Sequence, residues 1–350
     1  MNDRENTLRA ARFEKPDWIP ASFGISAACW NHYPQDALCE LMAEHPRLFP
    51  DFEWPDEKIT PEYVPWRRAE EPYTDIWGCM WETPENGITG AVVDHALSDW
   101  DDFPDYVPPS PEQQNGWGEI DWRESRAKLS RAREEDRLAS GSLRHGHTFL
   151  TLRYLRGYEN LIFDMCDRHP LLPELIEMVE RFNLGLVERF VDAGVEWMGY
   201  PEDLGMQRGP MLSPEHFRRY IKPSYERLLA PARKEGCVIH MHSDGDIREL
   251  IPDLLEVGID VLNLQDLVND VDWMESNLKG RVCIDLDIDR QNITRFGTPE
   301  KIHNHICTAV RKLASPEGGL MLKHGLYPDL PLENVEALMD AMEESSQYRA

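Results

Sequence analysis

The chain has 350 residues, of which 41% are hydrophobic, and its 11 Trp, 11 Tyr and 11 Phe supply enough apolar surface for a substantial core, against wholesale disorder. Its 64 acidic residues against 37 basic ones give a formal charge of -27, which repels phosphate backbones and anionic lipid surfaces and so argues against nucleic acid and membrane as partners. The seven cysteines (Cys29, Cys39, Cys79, Cys166, Cys237, Cys283, Cys307) are odd in number, scattered and never in a CxxC pair, which disfavours a disulfide framework.

Met1-Asn2-Asp3-Arg4-Glu5 opens the chain without an apolar signal-peptide core, and no window approaches the roughly 18 apolar residues of a membrane helix. A soluble protein in a reducing cytoplasm is the expectation. Residues 1–125 read as an irregular entry region, rich in proline and scattered tryptophans, with no flexible linker to close it off as a separate domain. A charged helix is expected over 126–137.

From residue 140 to 350 the pattern alternates regularly between helix and strand. Apolar residues at helical spacing over 172–191, with Gly194 as terminator, precede a strand at 195–198. Ser213 caps a helix over 214–234, kinked at Pro223 or Pro231, and a strand at 237–241 follows. The remaining pairs are a helix at 247–257 with a strand at 260–264, a helix at 270–278 with a strand at 281–285, and a helix at 298–313 with a strand at 320–323; a final helix covers 331–342. No GxGxxG or GxxxxGK[ST] loop follows any strand, which favours an α/β barrel of one domain over a doubly wound sheet.

In such a barrel, function sits on the C-terminal ends of the strands. Each strand here runs into ionisable or polar groups: Glu202 and Asp203; His240, His242, Asp244 and Asp246; Gln265 and Asp266; Asp285, Asp287 and Asp289; and His324. His240 and His242 share one strand face, with Asp244 next in the same period. Imidazoles plus a carboxylate suit zinc or iron, and His324 could complete an open site; a packed or substrate-bonding histidine is the alternative. Asp203 reads as ligand, proton-transfer group or loop-ordering acceptor, and Arg208 as a clamp for a carboxylate or a partner of Glu202 or Asp203. Trp77, with Trp81 and Tyr73, forms either an aromatic wall for a flat substrate or a satellite core.

The chain resembles the uroporphyrinogen decarboxylase superfamily, which includes the decarboxylase and corrinoid-linked methyltransferases. The resemblance rests on Arg4-Glu5-Asn6 with Pro16-Asp17-Trp18-Ile19-Pro20, on Asp75-Ile76-Trp77-Gly78 and Gly87-Ile88-Thr89-Gly90, and on Asp203-Leu204-Gly205 with Gln207-Arg208-Gly209 and Ser213-Pro214-Glu215. It continues in the His242-Ser243-x-Gly245 turn, in Asp289-x-Gln291 with Gly297-Thr298-Pro299-Glu300, and in His324-Gly325. It implies a (β/α)8 TIM barrel with an elaborated N-terminal region.

The decarboxylase's arginine-rich element falls at Ala21-Ser22-Phe23-Gly24-Ile25-Ser26, which contains no arginine. Asp75 and His324 nevertheless resemble that enzyme's central Asp and C-terminal His. The methyltransferases hold zinc by an HxC pair and a later Cys; His242 and Asp244 stand at the pair, and His324 stands close to the later position. The resemblance therefore implies a metal-assisted methyltransferase that moves a methyl group from a small methoxylated or methylated compound to a corrinoid protein. A divalent metal, zinc first, would lie on His242, Asp244 and His324, with Asp203, His240 and Asp75 as catalytic groups and Arg208, Trp77, Gln265 and Asp289 binding substrate. Decarboxylation of a porphyrinogen and a non-catalytic corrinoid or small-molecule binding module are the alternatives. Homodimerisation is left open.

Overall fold

The parallel strands begin in short apolar runs and stay extended past the point where those runs give way to polar residues. In chain order they are β1 (Ala21–Ile25), β2 (Ser140–Ser142), β3 (Trp197–Asp203), β4 (Val238–Asp244), β5 (Val261–Gln265), β6 (Cys283–Asp287) and β7 (Leu320–Leu326). The principal helices are α1 (Phe149–Arg156), α2 (Leu172–Asp192), α3 (Lys222–Lys234), α4 (Ile251–Val257), α5 (Pro299–Leu313) and α6 (Leu332–Ser346). The computed structural model describes residues 1–348. It divides the chain into two units: the first takes Met1–Glu70, Thr83–Thr89 and the chain from Leu264 onward, and the second takes Glu71–Glu82 and Gly90–Asn263. The architecture is α/β, and the division falls inside β5.

In the first unit β7 lies between β1 and β6, parallel to both. Thr298 caps α5 through its hydroxyl, Pro299 follows where a missing N–H costs nothing, and Ile302, Ile306, Ala309, Val310 and Leu313 form the buried stripe. That helix packs on α6. β1 lies in the region expected to be irregular; its five residues carry too little periodicity to stand out among the surrounding prolines.

In the second unit β3 lies between β2 and β4, again parallel. α2 buries Leu175, Ile176, Val179, Phe182 and Leu186, each contributing roughly 1.5–3 kcal/mol of apolar burial. The helix expected over 214–234 is continuous but widens into a π-type turn at Phe217–Ile221, just ahead of Pro223. That turn accommodates the proline's missing N–H and its clash with the preceding carbonyls, whereas Pro231 is tolerated inside α3. Among the described residues no helix is long and apolar enough to cross a membrane.

Two local devices fix the second unit's strand ends. The first is a close backbone contact after β3 and β4: a Cβ on Gly245, whose φ is +82°, would lie 2.2 Å from the carbonyl carbon of Gly205, and a Cβ on Gly205 would lie 2.5 Å from that of Gly245. Leu204 N–H donates to Ser243 Oγ at 2.9 Å and Asp246 N–H to Met206 O at 2.7 Å, tying the same loops. The second is Asp75, whose fully buried carboxylate accepts from Trp77 N–H (2.9 Å), Cys79 N–H (3.0 Å) and Trp81 Nε1–H (3.0 Å), with Arg144 at 3.5 Å. These bonds hold the small antiparallel sheet of Tyr73–Thr74, Met80–Glu82 and Ala91–Asp94.

Gly245→Ala should lower unfolding stability by about 3 kcal/mol or more, since it adds both left-handed strain and a backbone overlap; a urea midpoint within experimental error of wild type would contradict the contact. Asp75→Ala should cost about 3–5 kcal/mol by the same measurement, because it strands three buried N–H donors and the Arg144 guanidinium.

Candidate active site

Parallel pairing sets Pro201 beside His242, Glu202 beside Ser243 and Asp203 beside Asp244. Asp244 N–H donates to Asp203 Oδ1 at 3.1 Å, which locks the two aspartates at adjacent strand ends. β2 stops three residues short of His145, whose Nε2–H donates to Asp203 Oδ1 at 3.2 Å. His242 Nε2 stands 3.6 Å from Asp203 and 3.5 Å from Asp244. The donor atoms of His145, Asp203 and His242 all lie within 4.8 Å of one another.

Second-layer bonds orient this group. His242 Nδ1 donates to Asn263 Oδ1 at 2.5 Å, so the lone pair of the neutral ring lies on Nε2, the atom facing the two carboxylates. Glu202 is completely buried and accepts from the N–H groups of Thr148 and Phe149, each at 2.7 Å, and of Leu150 at 3.3 Å, so it closes the N-terminus of α1.

The charges on this cluster divide unevenly. Burial pushes Glu202 up to about 7, against the pull of the backbone N–H groups and of His145. Burial also lowers His242, while Asp244 and Asp203 oppose that shift. His145 pays a burial penalty too, but its hydrogen bond and charge interaction with Asp203 outweigh it and raise its pKa. For Asp203 burial works upward, and the bond and charge of His145, followed by His242, bring it below the usual carboxylate range. In the metal-free cluster Asp203 thus favours the charged form of His145, while burial favours the neutral form of His242. Two imidazoles and neighbouring carboxylates are a nitrogen and oxygen donor set that fits zinc or ferrous iron, harder than a thiolate site.

The other expected site residues take varied positions. His240 lies two residues before His242 on β4, with the Trp197 ring 5.4 Å away. Arg208 is exposed at the tip of the hairpin Gly205–Met206 and Gly209–Pro210, without an ion pair to Glu202 or Asp203 among the described residues. Trp77 is buried edge-on to Phe182 of α2 at 4.9 Å.

Within the first unit, Gln265 ends β5, and Asp289 is buried and accepts from Gln291, Asn292 and Ile293 N–H at 3.2, 2.7 and 2.6 Å, closing a turn. Asp287 pairs with Arg290 at 2.8 Å. His324 lies on β7, fully buried against Phe23 at 5.2 Å; its Nδ1 donates to Ile288 O at 3.2 Å, and its buried Nε2 has no partner among the described residues. Burial brings its pKa down to about 3, so it stays neutral.

His145 is not among the residues expected from sequence, although His145-Gly146-His147 repeats the spacing of His240-Met241-His242 three residues after a short strand. Its partner His147 turns inward, bonded to Thr148 Oγ1 at 2.6 Å and held down to about 3 by burial.

Comparison with known proteins places this geometry in a wider setting. A methyltransferase from Methanosarcina mazei superposes with a TM-score of 0.67 over 98% of this chain and 99% of its own, at 18% identity. Likeness at that identity shows a shared fold, an α/β architecture of the TIM-barrel type. A uroporphyrinogen decarboxylase of Thermus thermophilus is 27% identical over 200 residues, 55% of this chain and 53% of that protein. That of Trichodesmium erythraeum is 23% identical over 184 residues, 51% of this chain and 47% of that protein. The chain spans about half the length of these curated relatives. The pattern of the family described as uroporphyrinogen decarboxylase (URO-D) matches residues 78–345, and the chain belongs to that family.

Proposed function

We propose that this chain is a URO-D-family methyltransferase that takes a methyl group from a small methoxylated or methylated compound and passes it to the corrinoid of a partner protein, assisted by a divalent metal, zinc foremost. The observation that carries this reading is the setting of His242: a neutral ring fixed by Asn263 turns its Nε2 lone pair toward Asp203 and Asp244. A lone pair facing two carboxylates is unfavourable, and a cation on that nitrogen, a proton or a metal ion, relieves it. The full-length fold shared with a methyltransferase supports the methyl-transfer branch, as does the absence of arginine from Ala21–Ile25.

His145, Asp203 and His242 would hold the metal, with Asp244 as the adjoining carboxylate. A zinc ion held there supplies Lewis acidity toward an oxygen of the methyl compound. His240, on the same strand face, is the proposed proton-transfer group, and Arg208 a proposed anchor for a substrate carboxylate. Asp75 and Trp77 serve this site indirectly, by holding the segments in which they are buried, and Asp289 orders its own turn in the first unit. Neutral His324 offers its unpartnered Nε2 as an acceptor or ligand, and Gln265 closes its strand beside that unit's polar ends.

Purified protein should carry zinc, and His242→Ala should lose both metal and methyl transfer to cob(I)alamin while the metal-free protein melts near wild type. Negligible transition metal, unchanged on adding zinc, would sink the metal assignment. Conversion of uroporphyrinogen to coproporphyrinogen would indicate the decarboxylase instead, and tight corrinoid binding without turnover a binding module.

Zinc affinity should also rise with pH, because binding displaces the proton that Asp203 holds on His145 above the ordinary histidine pKa of 6.5. Below that raised pKa, each unit of acidification should weaken binding about tenfold, as read by titration at several pH values. A flat profile would remove His145 from the ligand set.

A further inference from the structure

The first unit carries another cluster of ligand-type side chains, on its helices. His303 and Cys307 are one turn apart on α5, so both project from the same face, and Glu344 of α6 meets them there. His303 Nε2 lies 2.9 Å from Glu344 Oε2, Cys307 Sγ lies 3.7 Å from His303 Nε2, and all three donor atoms fall within 4.8 Å of one another. From these positions we propose a second divalent-metal site, a zinc clamp that joins α5 to α6 through His303, Cys307 and Glu344.

The distances suit the ion. Tetrahedral zinc, with ligands at about 2.0–2.3 Å, sets its donor atoms roughly 3.3–3.6 Å apart. Sulfur stands 3.7 Å from Nε2 and 3.8 Å from Nδ1, near that spacing but over the ring, so a turn of the His303 ring or of the Cys307 side chain must aim both donors at one ion. The nitrogen and oxygen are closer, in a direct hydrogen bond, and must part by a few tenths of an ångström; Glu344 is the group free to move, with its side chain 67% exposed. Water fills the fourth position. The donor set selects zinc over magnesium or calcium, because a thiolate and an imidazole are poor ligands for hard cations. Cys307 loses its proton on binding, so affinity falls in acid.

This cluster shares no residue with the strand-end cluster, and its donors differ in kind. Only here does a cysteine enter the set, since the strand-end group offers imidazole and carboxylate alone. The clamp's action would be structural. α5 and α6 already pack on one another through apolar stripes, and a metal at this edge would replace the single His303–Glu344 hydrogen bond with a three-ligand tie between the two helices.

Cobalt(II) titration of the full chain tests the proposal, because a cysteine ligand gives a near-ultraviolet thiolate-to-cobalt absorption that imidazole and carboxylate ligands do not. Wild type and His242→Ala should both show this band, whereas Cys307→Ser and His303→Ala should lose it. A wild type without the band, or a band that persists in Cys307→Ser, overturns the site. Zinc should also slow alkylation of Cys307 at least tenfold, read by peptide mass, with exposed Cys166 as the internal control. Equal protection of the two thiols, or of neither, overturns it as well. Circular dichroism of each variant confirms folding, and because His242→Ala keeps the band, failure of the strand-end assignment leaves this test unaffected.

Discussion

The second unit's chemistry depends on the register of β3 against β4 and on the backbone contact of Gly205 with Gly245 that continues it. Pairing sets Asp203 directly beside Asp244, and the bare glycines let the following loops approach until only hydrogen atoms fit between them. A side chain at either glycine would force the loops apart and carry the aspartates with them. The glycines of the Asp203-Leu204-Gly205 and His242-Ser243-x-Gly245 runs therefore have a steric reason to be there. They allow the close approach that brings two carboxylates and an imidazole edge into one small volume.

That approach creates an electrostatic problem, which the surrounding groups solve unequally. His145 and a backbone N–H offset Asp203, whereas burial lowers His242 against the opposing pull of Asp244, Asp203 and the Asn263 bond. The same imidazole chemistry is shifted in opposite directions two residues apart. His145, 43% exposed beside a carboxylate, has its pKa raised, whereas His147, buried with a hydroxyl as partner, is brought down to about 3. Spacing along a strand puts histidines on a face, and the neighbours on adjoining elements then decide which of them can bind a proton or a metal.

These neighbours explain what could and could not be read from sequence. The alternation of helix and strand after residue 140 was legible because glycine terminators, caps and apolar stripes repeat in each unit. The strand ends were read short: β3, β4, β6 and β7 continue to Asp203, Asp244, Asp287 and Leu326, because ladder bonding to a parallel neighbour keeps polar residues extended after the apolar run stops. β1 was missed for lack of periodicity. The partnership of His145 with Asp203 was invisible, since 58 residues separate them and only pairing between β2 and β3 brings the segments together. Asp75 and Asp289 look alike in sequence, as loop carboxylates, and in the structure each gathers backbone N–H groups of its own turn. Nothing local distinguishes such an aspartate from one that faces a ligand.

The charge of the strand-end cluster also bears on which substrates it can admit. Like charges a few ångströms apart repel, so an anionic group entering beside Asp203 and Asp244 meets a penalty, reduced by the exposure of Asp244 and by the His145 bond to Asp203. A polycarboxylate would incur it repeatedly, on a chain whose net charge of -27 adds repulsion at longer range. A metal ion held there would offset that repulsion by neutralising the aspartates that attract it. The carboxylates that repel anions from the metal-free cluster are the same groups that draw a cation in, so the donor set and the charge of what can approach it are linked through electrostatics alone.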